Sequence, residues 1–347
     1  MHNSTFYLAR KIPVMLMGAP GIGKTAMVTQ FADEIGADLV DIRLSAETPS
    51  SFEGKDYISP QTGDLKKARA WWLQRIDRNK EENRPTVLFF DEYTNAPDAL
   101  QQLAYSPFNE RKRHGNSFDY CLQDGSAGLY VFGASNRPED ETGARDMVYA
   151  SKTRVFTVDI KPTTTKWLKW AEENDIDPKV RSFIYANPDA LMEKPSTGTA
   201  CPREWANLSF ALSQGIPYRE AAHGTVRGAH ESKFCAFYKD SALCPTVEDI
   251  VSGKAKTFPA VHLATFAVTL VMALKNDPDM CRHFPYVYNW IAEQSAECEV
   301  LFAKYAINVL GTDLLKDPQA KATLAKAAKK VGSKELIFTR SYGKNRG

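Results

Sequence analysis

The fold of this 347-residue chain is decided by one stretch, Gly18-Ala19-Pro20-Gly21-Ile22-Gly23-Lys24-Thr25. The stretch fits the pattern G-x-x-x-x-G-K-[ST], and it lies between the apolar run Val14–Met17 and a helical pattern that begins at Lys24. Glycines let backbone N–H groups curl around phosphate groups, and the start of a helix favours an anion. The sequence therefore predicts a phosphate-binding loop for a nucleotide, with contacts running from Gly18 through Ala26.

Two side chains of this loop have predicted roles of their own. Lys24 is expected to reach the β- and γ-phosphates of ATP, where its charge also assists hydrolysis. Thr25 is expected to bind Mg²⁺ through its hydroxyl group. The predicted cofactors are therefore ATP and Mg²⁺.

A second element consists of two adjacent carboxylates, Asp91 and Glu92, which follow the apolar run 87–90. Open α/β sheets bind ligands at the carboxyl ends of their strands, and Asp91 and Glu92 lie at the carboxyl end of this predicted strand. Asp91 is expected to hold the Mg²⁺ ion with its water shell. Glu92 is expected to orient and polarise the attacking water, a normal arrangement for hydrolysis beside a metal triphosphate.

A third polar group, Asn136, follows another predicted strand, residues 129–134. Its amide is expected to contact the γ-phosphate or the attacking water. Asn is also common beside a proline-containing turn. Asn136 is therefore assigned to the nucleotide site only because the two preceding motifs already predict that site.

Strand and helix patterns alternate in the first half of the chain, which is typical of a parallel sheet covered by helices. The predicted strands are residues 14–17, 39–44, 86–90, 129–134 and 155–160. The predicted helices between them are residues 24–35, 66–79 and 98–109.

After Pro162 the strand signal ends and helical patterns follow. They cover residues 166–174, 178–186, 203–214, 259–274 and 289–309, and an Ala/Lys-rich helix is expected from residue 317. Residues 215–258 are rich in turn formers and are expected to be a long loop or an insertion. The predicted domains are an α/β nucleotide-binding core over 1–160, a helical lid with that loop-rich segment over 161–257, and a helical C-terminal extension with a basic tail over 258–347.

The composition is that of an ordinary globular protein, with 43% hydrophobic residues, 25% charged residues and a net charge of +2. A net charge so close to zero provides no global attraction to nucleic acid or to an anionic membrane. The six cysteines form no C-x-x-C pair, and no secretory signal pattern is visible, which predicts reduced thiols. The expected location is the cytoplasm of a bacterium, for a protein encoded by the cell or by a phage, without membrane attachment.

With the three elements in this order, the chain resembles the AAA+ superfamily and, more narrowly, its MoxR-like branch. The resemblance covers about residues 12–215. The narrower likeness rests on Asp41-Ile-Arg-Leu44 with Pro49 and Phe52-Glu-Gly54, Asp91-Glu-Tyr-Thr-Asn-Ala-Pro97, Ala99-Leu-Gln-Gln-Leu103 with Glu110-Arg111, Thr153-Arg154-Val155, and Ala200-Cys-Pro-Arg-Glu-Trp205.

The resemblance implies an AAA+ P-loop core with a five-stranded parallel sheet flanked by helices, followed by an α-helical lid. It implies a homo-oligomer, a hexameric ring or a spiral, in which ATP lies between neighbouring subunits. Arg154 would then act as an arginine finger on the adjacent subunit, Asn136 as sensor 1 and Arg203 as sensor 2 on the phosphates of its own subunit. Arg137 and Arg145 are rival candidates for the finger.

One departure from the family concerns the segment before the first strand. Only about a dozen residues precede Val14, so the helix that usually helps to hold adenine is expected to be shortened.

The resemblance also favours one use of ATP, the remodelling or activation of a protein partner. MoxR-like proteins commonly work beside a protein with a von Willebrand factor A domain. Candidate partner contacts are Phe52 and Tyr57 after the second strand, and a predicted hairpin over residues 112–119.

Two other uses stay open. The first is an ATPase directed at nucleic acid, supported by the basic residues Lys66, Lys67, Arg69, Arg111, Lys112, Arg113 and His114 and by Arg340, Lys344 and Arg346 in the tail. The second is a scaffold or filament that binds ATP structurally and hydrolyses it slowly.

Overall fold

The computed structural model describes residues 3–113, 116–137, 147, 149–193, 198–255 and 263–331. The chain divides into two compact units, Met1–Pro162 and Thr163–Gly347. The predicted boundary near residue 257 lies outside the described residues, and the division into three domains stays a prediction.

The first unit contains nine strands and five α-helices among its described residues. The strands are β1 Val14–Met17, β2 Asp38–Arg43, β3 Asp56–Ile58, β4 Leu65–Lys67, β5 Thr86–Asp91, β6 Lys112–Arg113, β7 Asn116–Ser117, β8 Leu129–Ser135 and β9 Phe156–Asp159. The helices are α1 Lys24–Glu34, α2 Pro49–Glu53, α3 Trp71–Glu81, α4 Asp98–Glu110 and α5 Tyr149–Lys152.

Five of these strands form a parallel sheet in the order β2-β5-β8-β1-β9. Every residue of β5 and β8 is buried, as expected for central strands with helices on both faces. The predicted fold class is therefore confirmed, and β1 has the predicted bounds.

Aromatic side chains pack against one face of the sheet. A 3₁₀-helical segment, Asn3–Arg10, precedes β1 and buries Phe6 against Phe31 of α1 and Phe132 of β8, with ring centroids 5.6 and 5.2 Å away. The short segment before β1 is thus held to the sheet by edge-to-face aromatic contacts.

Two antiparallel hairpins lie outside the main sheet. The first hairpin pairs β3 with β4, and Tyr57 lies opposite Lys66. The second hairpin pairs β6 with β7, which confirms the hairpin predicted within residues 112–119. The predicted helix over residues 66–79 is wrong at its start, because Leu65–Lys67 is β4 and the helix begins only at Trp71.

The described part of the second unit contains ten α-helices and none of the strands named above. Its helices are α6 Thr164–Glu173, α7 Pro178–Ala186, α8 Pro202–Ser213, α9 Tyr218–Thr225, α10 Ala229–Ser241, α11 Val247–Val251, α12 Leu263–Lys275, α13 Met280–Gln294, α14 Ala296–Leu314 and α15 Pro318–Val331. Two apolar clusters hold it together, one around Trp205 and Phe234 and one around Phe284 and Phe302.

Two predictions for this unit are wrong. Residues 215–258 are not a long loop, because α9, α10 and α11 occupy most of the described part of that stretch, and α11 begins with a capping box made by Thr246 and Asp249. The helix predicted over residues 289–309 is two helices, separated at Ser295. The Ser295 hydroxyl accepts hydrogen bonds from the backbone N–H groups of Glu297 and Cys298 and so begins α14.

Among the residues that the structure describes, no helix has the length and apolar character needed to cross a membrane. The basic tail with Arg340, Lys344 and Arg346 lies outside the described residues.

Candidate functional site

The order of the sheet places the predicted motifs side by side. Strands β5, β8 and β1 are neighbours, and their carboxyl ends lead to Asp91, Asn136 and Gly18. Because the strands are parallel, these ends lie at one edge of the sheet. Three motifs that are far apart in sequence therefore form one site.

The loop after β1 has a backbone that only glycine adopts readily. Gly21 and Gly23 have φ angles of 74° and 93°. A Cβ atom on Gly18 would lie 2.6 Å from the carbonyl oxygen of Ile160, and the Gly18 N–H donates to the carbonyl of Ser135 at 3.2 Å. The loop is thus held closely between β8 and the end of β9, and α1 begins at Lys24.

The Lys24 ammonium group joins the first and third motifs. Lys24 Nζ donates to the carbonyl oxygens of Gly18 and Ala19 at 2.6 and 3.0 Å, and to Asn136 Oδ1 at 2.8 Å. The predicted phosphate-binding cation and the predicted sensor 1 amide are therefore in direct contact. A phosphate oxygen reaching Lys24 would also be within reach of the Asn136 side chain.

Thr25 and Asp91 join the first and second motifs. Thr25 Oγ1 donates to Asp91 Oδ2 at 3.0 Å, and Asp91 is 7% exposed. The other carboxylate oxygen, Asp91 Oδ1, accepts from the Glu92 N–H at 2.9 Å. A hydroxyl and a carboxylate are oxygen ligands of the kind that Mg²⁺ prefers, so this pair fits the predicted metal.

The remaining residues of the predicted loop have simpler positions. Ala19 and Ile22 are buried, at 9% and 6% exposure, and anchor the loop. Pro20 and Ala26 are exposed.

Glu92 is held by two residues that belong to none of the three sequence motifs. Its backbone is left-handed, with φ 54° and ψ 37°, an uncommon conformation for a residue with a side chain. The Ser45 hydroxyl donates to Glu92 Oε2, and Arg43 Nε lies 4.0 Å from Glu92 Oε1. Arg43 is paired in register with Asp91, so the end of β2 reaches the predicted catalytic carboxylate.

The turn after Glu92 is tied to the neighbouring strand. The Thr94 N–H donates to Ser135 Oγ at 3.1 Å, and the two hydroxyl groups also contact each other. Both residues are buried. The carboxyl ends of β5 and β8 are thereby held together around the site.

The four predicted or rival arginines lie in different places. Arg154 is exposed in the turn before β9, with its guanidinium 5.7 Å from the centroid of the Tyr105 ring. Arg137 directly follows Asn136, and Arg145 lies outside the described residues. Arg203 is exposed in the first turn of α8, in the second unit. The roles of these arginines stay predictions.

The predicted partner contacts differ in exposure. Phe52 is fully buried and stacks on Trp72 with ring centroids 5.5 Å apart, so its prediction as a surface contact is wrong. The indole N–H of Trp72 also donates to the Phe52 carbonyl at 2.9 Å. Tyr57 is 46% exposed, and on the same hairpin Ile58 and Leu65 are 70% and 73% exposed.

Most of the first unit is similar to a known family of domains. Residues 13–154 match the family described as AAA domain (dynein-related subfamily). The matched region contains the loop after β1, Asp91, Glu92 and Asn136, and it ends at Arg154.

Two curated relatives match a similar length of chain. Protein SAV of Sulfolobus acidocaldarius is 30% identical over 129 residues, which is 36% of this chain and 14% of that protein. Protein CdcH of Halobacterium salinarum is 27% identical over 126 residues, which is 36% of this chain and 15% of that protein. The chain thus spans about one seventh of the length of these relatives.

A solved structure of a candidate ATPase from Cytophaga hutchinsonii is also similar. It shares 15% sequence identity with a TM-score of 0.33, over 67% of this chain and 83% of that chain.

Proposed function

Residues 13–154 form an AAA+ domain and make this chain a member of the AAA+ ATPase superfamily, and from that premise we propose that it hydrolyses Mg·ATP to remodel or activate a protein partner. One observation carries the catalytic part of the proposal. Thr25 Oγ1 and Asp91 Oδ2 lie 3.0 Å apart, with Glu92 next to Asp91. This arrangement supports a metal-nucleotide site with a carboxylate base beside it.

In the proposed reaction each residue has a distinct task. The loop from Gly18 to Thr25 binds the phosphates with its backbone N–H groups, and Lys24 neutralises their charge. Thr25 and Asp91 would hold Mg²⁺, which would supply charge stabilisation for the β- and γ-phosphates. Glu92 takes the proton of the attacking water at a carboxylate oxygen, and Asn136 orients that water or the γ-phosphate.

The substitution Glu92→Gln tests the catalytic assignment. The variant is expected to bind Mg·ATP with the affinity of the unmodified protein and to hydrolyse it about 10²- to 10⁴-fold more slowly, because it lacks a general base. The matched control is Glu82→Gln, which removes an exposed carboxylate at the end of α3. Hydrolysis at the unmodified rate in Glu92→Gln would contradict the assignment.

The proposed assembly is a homo-oligomer of the MoxR-like type, a hexameric ring or a spiral with ATP between subunits. Arg154 would contact the γ-phosphate bound by the neighbouring subunit, and Arg203 would contact the phosphates of its own. Exposure of Arg154 supports this proposal, since an arginine that acts on a neighbour must be accessible.

The proposed partner is a protein, for example one with a von Willebrand factor A domain. The first hairpin supports this proposal, because Ile58 and Leu65 are directly opposite each other and expose most of their apolar surface. Adjacent exposed apolar side chains are typical of protein-interaction sites.

The ion pairs of the basic residues argue against a nucleic-acid target. Lys67 and Arg113 both pair with Glu53, Arg69 pairs with Asp77, and Arg111 pairs with Asp119. Carboxylates therefore neutralise four of the basic residues that were expected to attract nucleic acid. His114 lies outside the described residues.

The hydrolysis rate with single-stranded DNA or RNA, across salt concentrations, separates the two targets. Little stimulation is expected at any salt concentration. Strong stimulation that falls steeply as salt rises would favour nucleic acid as the target.

A further inference from the structure

Glu53 connects the two hairpins through one carboxylate. Glu53 is the last residue of α2, and its Oε2 atom accepts a hydrogen bond from Lys67 Nζ of the first hairpin at 2.9 Å. Its Oε1 atom accepts from Arg113 Nη2 of the second hairpin. Two elements that are far apart in sequence thus share one anion.

The contact between Glu53 and Arg113 is largely shielded from water, whereas the side chain of Lys67 is 38% exposed. The side chains of Glu53 and Arg113 are 21% and 11% exposed, and the Arg113 guanidinium lies 5.7 Å from the centroid of the buried Phe52 ring. The hydrogen bond from Lys67 and, against the effect of burial, the hydrogen bond and charge of Arg113 hold the pKa of Glu53 below its ordinary value. Glu53 is therefore ionised at neutral pH, and its ion pair with Arg113 is less screened than an exposed pair.

The base of the first hairpin is packed tightly against the end of α2. Gly54 has a φ of 95°, and a Cβ atom there would lie 1.9 Å from the carbonyl oxygen of Ala68. Phe52 is stacked on Trp72. Glu53 thus lies between two residues that fix the backbone, so a movement of α2 displaces the Glu53 carboxylate.

The other end of α2 leads back to the ATP site. Ser45, which donates to Glu92, lies in the 3₁₀ turn Leu44–Ala46 just before α2. Thr48 begins α2 with a capping box, in which the Ser51 N–H donates to Thr48 Oγ1 at 3.2 Å and the Thr48 N–H donates to Ser51 Oγ at 2.9 Å. The short chain segment from Ser45 to Thr48 and the hydrogen bonds of α2 therefore connect the contact at Glu92 with Glu53.

We propose that Glu53 is a positioning residue that joins the two hairpins into one unit and moves this unit with α2 when nucleotide binding changes the contact between Ser45 and Glu92. The inference rests on the proposed function, because it requires a nucleotide at the site beside Glu92. It extends that function by assigning how the ATP site controls the surface offered to a partner.

Hydrogen–deuterium exchange of the full chain, with and without Mg·ATPγS, tests the proposal. In the unmodified protein, bound nucleotide is expected to change amide exchange in both hairpins by about threefold or more, together with protection of the loop after β1. In Glu53→Gln, which keeps the side-chain volume, the loop after β1 should still be protected. The nucleotide response of both hairpins should fall below about half of its original size.

Two further variants separate the two connections. Lys67→Met is expected to remove the nucleotide response of the first hairpin only, and Arg113→Met that of the second hairpin only. A general loss of structure would not produce this selectivity, so the pair distinguishes positioning from a merely structural role.

The possible outcomes have different meanings. Hairpins that respond to nucleotide in Glu53→Gln as they do in the unmodified protein would overturn the role of Glu53 while leaving the proposed function intact. A loop after β1 that gains no protection from Mg·ATPγS in the unmodified protein would overturn the proposed function, and the inference with it.

Discussion

The Ser45 hydroxyl donates a hydrogen bond to the carboxylate of Glu92, the proposed base for ATP hydrolysis. A carboxylate held by a hydrogen bond from a neighbouring residue is less free to turn toward a water molecule. The neighbouring hydroxyl thus restrains the catalytic group in the described arrangement.

The substitution Ser45→Ala is therefore expected to raise the steady-state rate of ATP hydrolysis, by about two- to tenfold for the loss of one hydrogen bond. The control is Ser126→Ala, whose hydroxyl donates to the Asp124 carboxylate in an exposed turn. A fall in kcat for Ser45→Ala would mean that the hydroxyl holds Glu92 in its productive position.

Lys24→Ala is expected to weaken ATP binding by about 10- to 100-fold, because it removes a charge-assisted contact to the phosphates. Titration with a fluorescent ATP analogue measures the loss, and Lys66→Ala, on the exposed first hairpin, is the control. Affinity unchanged from that of the unmodified protein would show that the Gly18–Thr25 loop has another role.

Arg154→Ala is expected to lower hydrolysis by about 10³-fold or more if the arginine acts on a neighbouring subunit. Mixing it with Glu92→Gln should then restore part of the activity, since some interfaces would combine an intact Glu92 with an intact Arg154. Mixtures of Arg137→Ala with Glu92→Gln provide the comparison. If activity returns only with Arg137→Ala, the finger is Arg137.

The stability of the first unit is expected to depend on pH through Asp38. Arg75 donates two hydrogen bonds to the Asp38 carboxylate at 2.6 Å, and Asn79 donates one at 2.9 Å. Burial alone would raise the pKa of Asp38, but these hydrogen bonds and the charge of Arg75 hold it below its ordinary value of 3.8. The folded state thus binds the proton more weakly than the unfolded state.

The stabilisation by Asp38 is therefore complete well above pH 3.8 and is lost as the pH falls through the lower pKa of the folded state. Urea unfolding of Asp38→Asn should show a loss of about 1 kcal/mol at pH 7, a modest value because Arg75 is partly exposed. The difference from the unmodified protein should shrink toward pH 3. An equal difference at both pH values would contradict the role of the charge.

The parts of the fold that the sequence predicted well are those decided by local pattern. The bounds of β1 and α7 agree with the prediction, because an apolar run before a glycine-rich loop and a helix beginning at Pro178 after Asp177 are strong local signals. Ser295 is an equally local signal for the start of α14, but apolar periodicity continues across it and does not show the break between the two helices.

Other features depend on contacts between distant residues. The sequence predicts Phe52 on the surface, yet Phe52 is buried because Trp72 of α3 stacks on it. The contact of Ser45 with Glu92 requires β2 to lie beside β5. The order of strands in a sheet cannot be predicted from a local sequence pattern. Within residues 215–258, Thr246 followed by Asp249 is a local signal for the start of a helix, and this signal argues against the expected long loop.

The pairing of β9 with β1 has a consequence for the proposed ring. Arg154 lies two residues before Phe156, whose N–H donates to the Pro13 carbonyl at 2.8 Å, and Phe156 is paired in register with Val14. If the nucleotide of a neighbouring subunit binds Arg154, a shift of Arg154 would move β9. Because β9 is hydrogen-bonded to β1, this shift would also move the strand that leads into the phosphate-binding loop of the same subunit. Occupancy of one site is expected to alter the affinity of the next, so hydrolysis should be cooperative, with a Hill coefficient that differs from one.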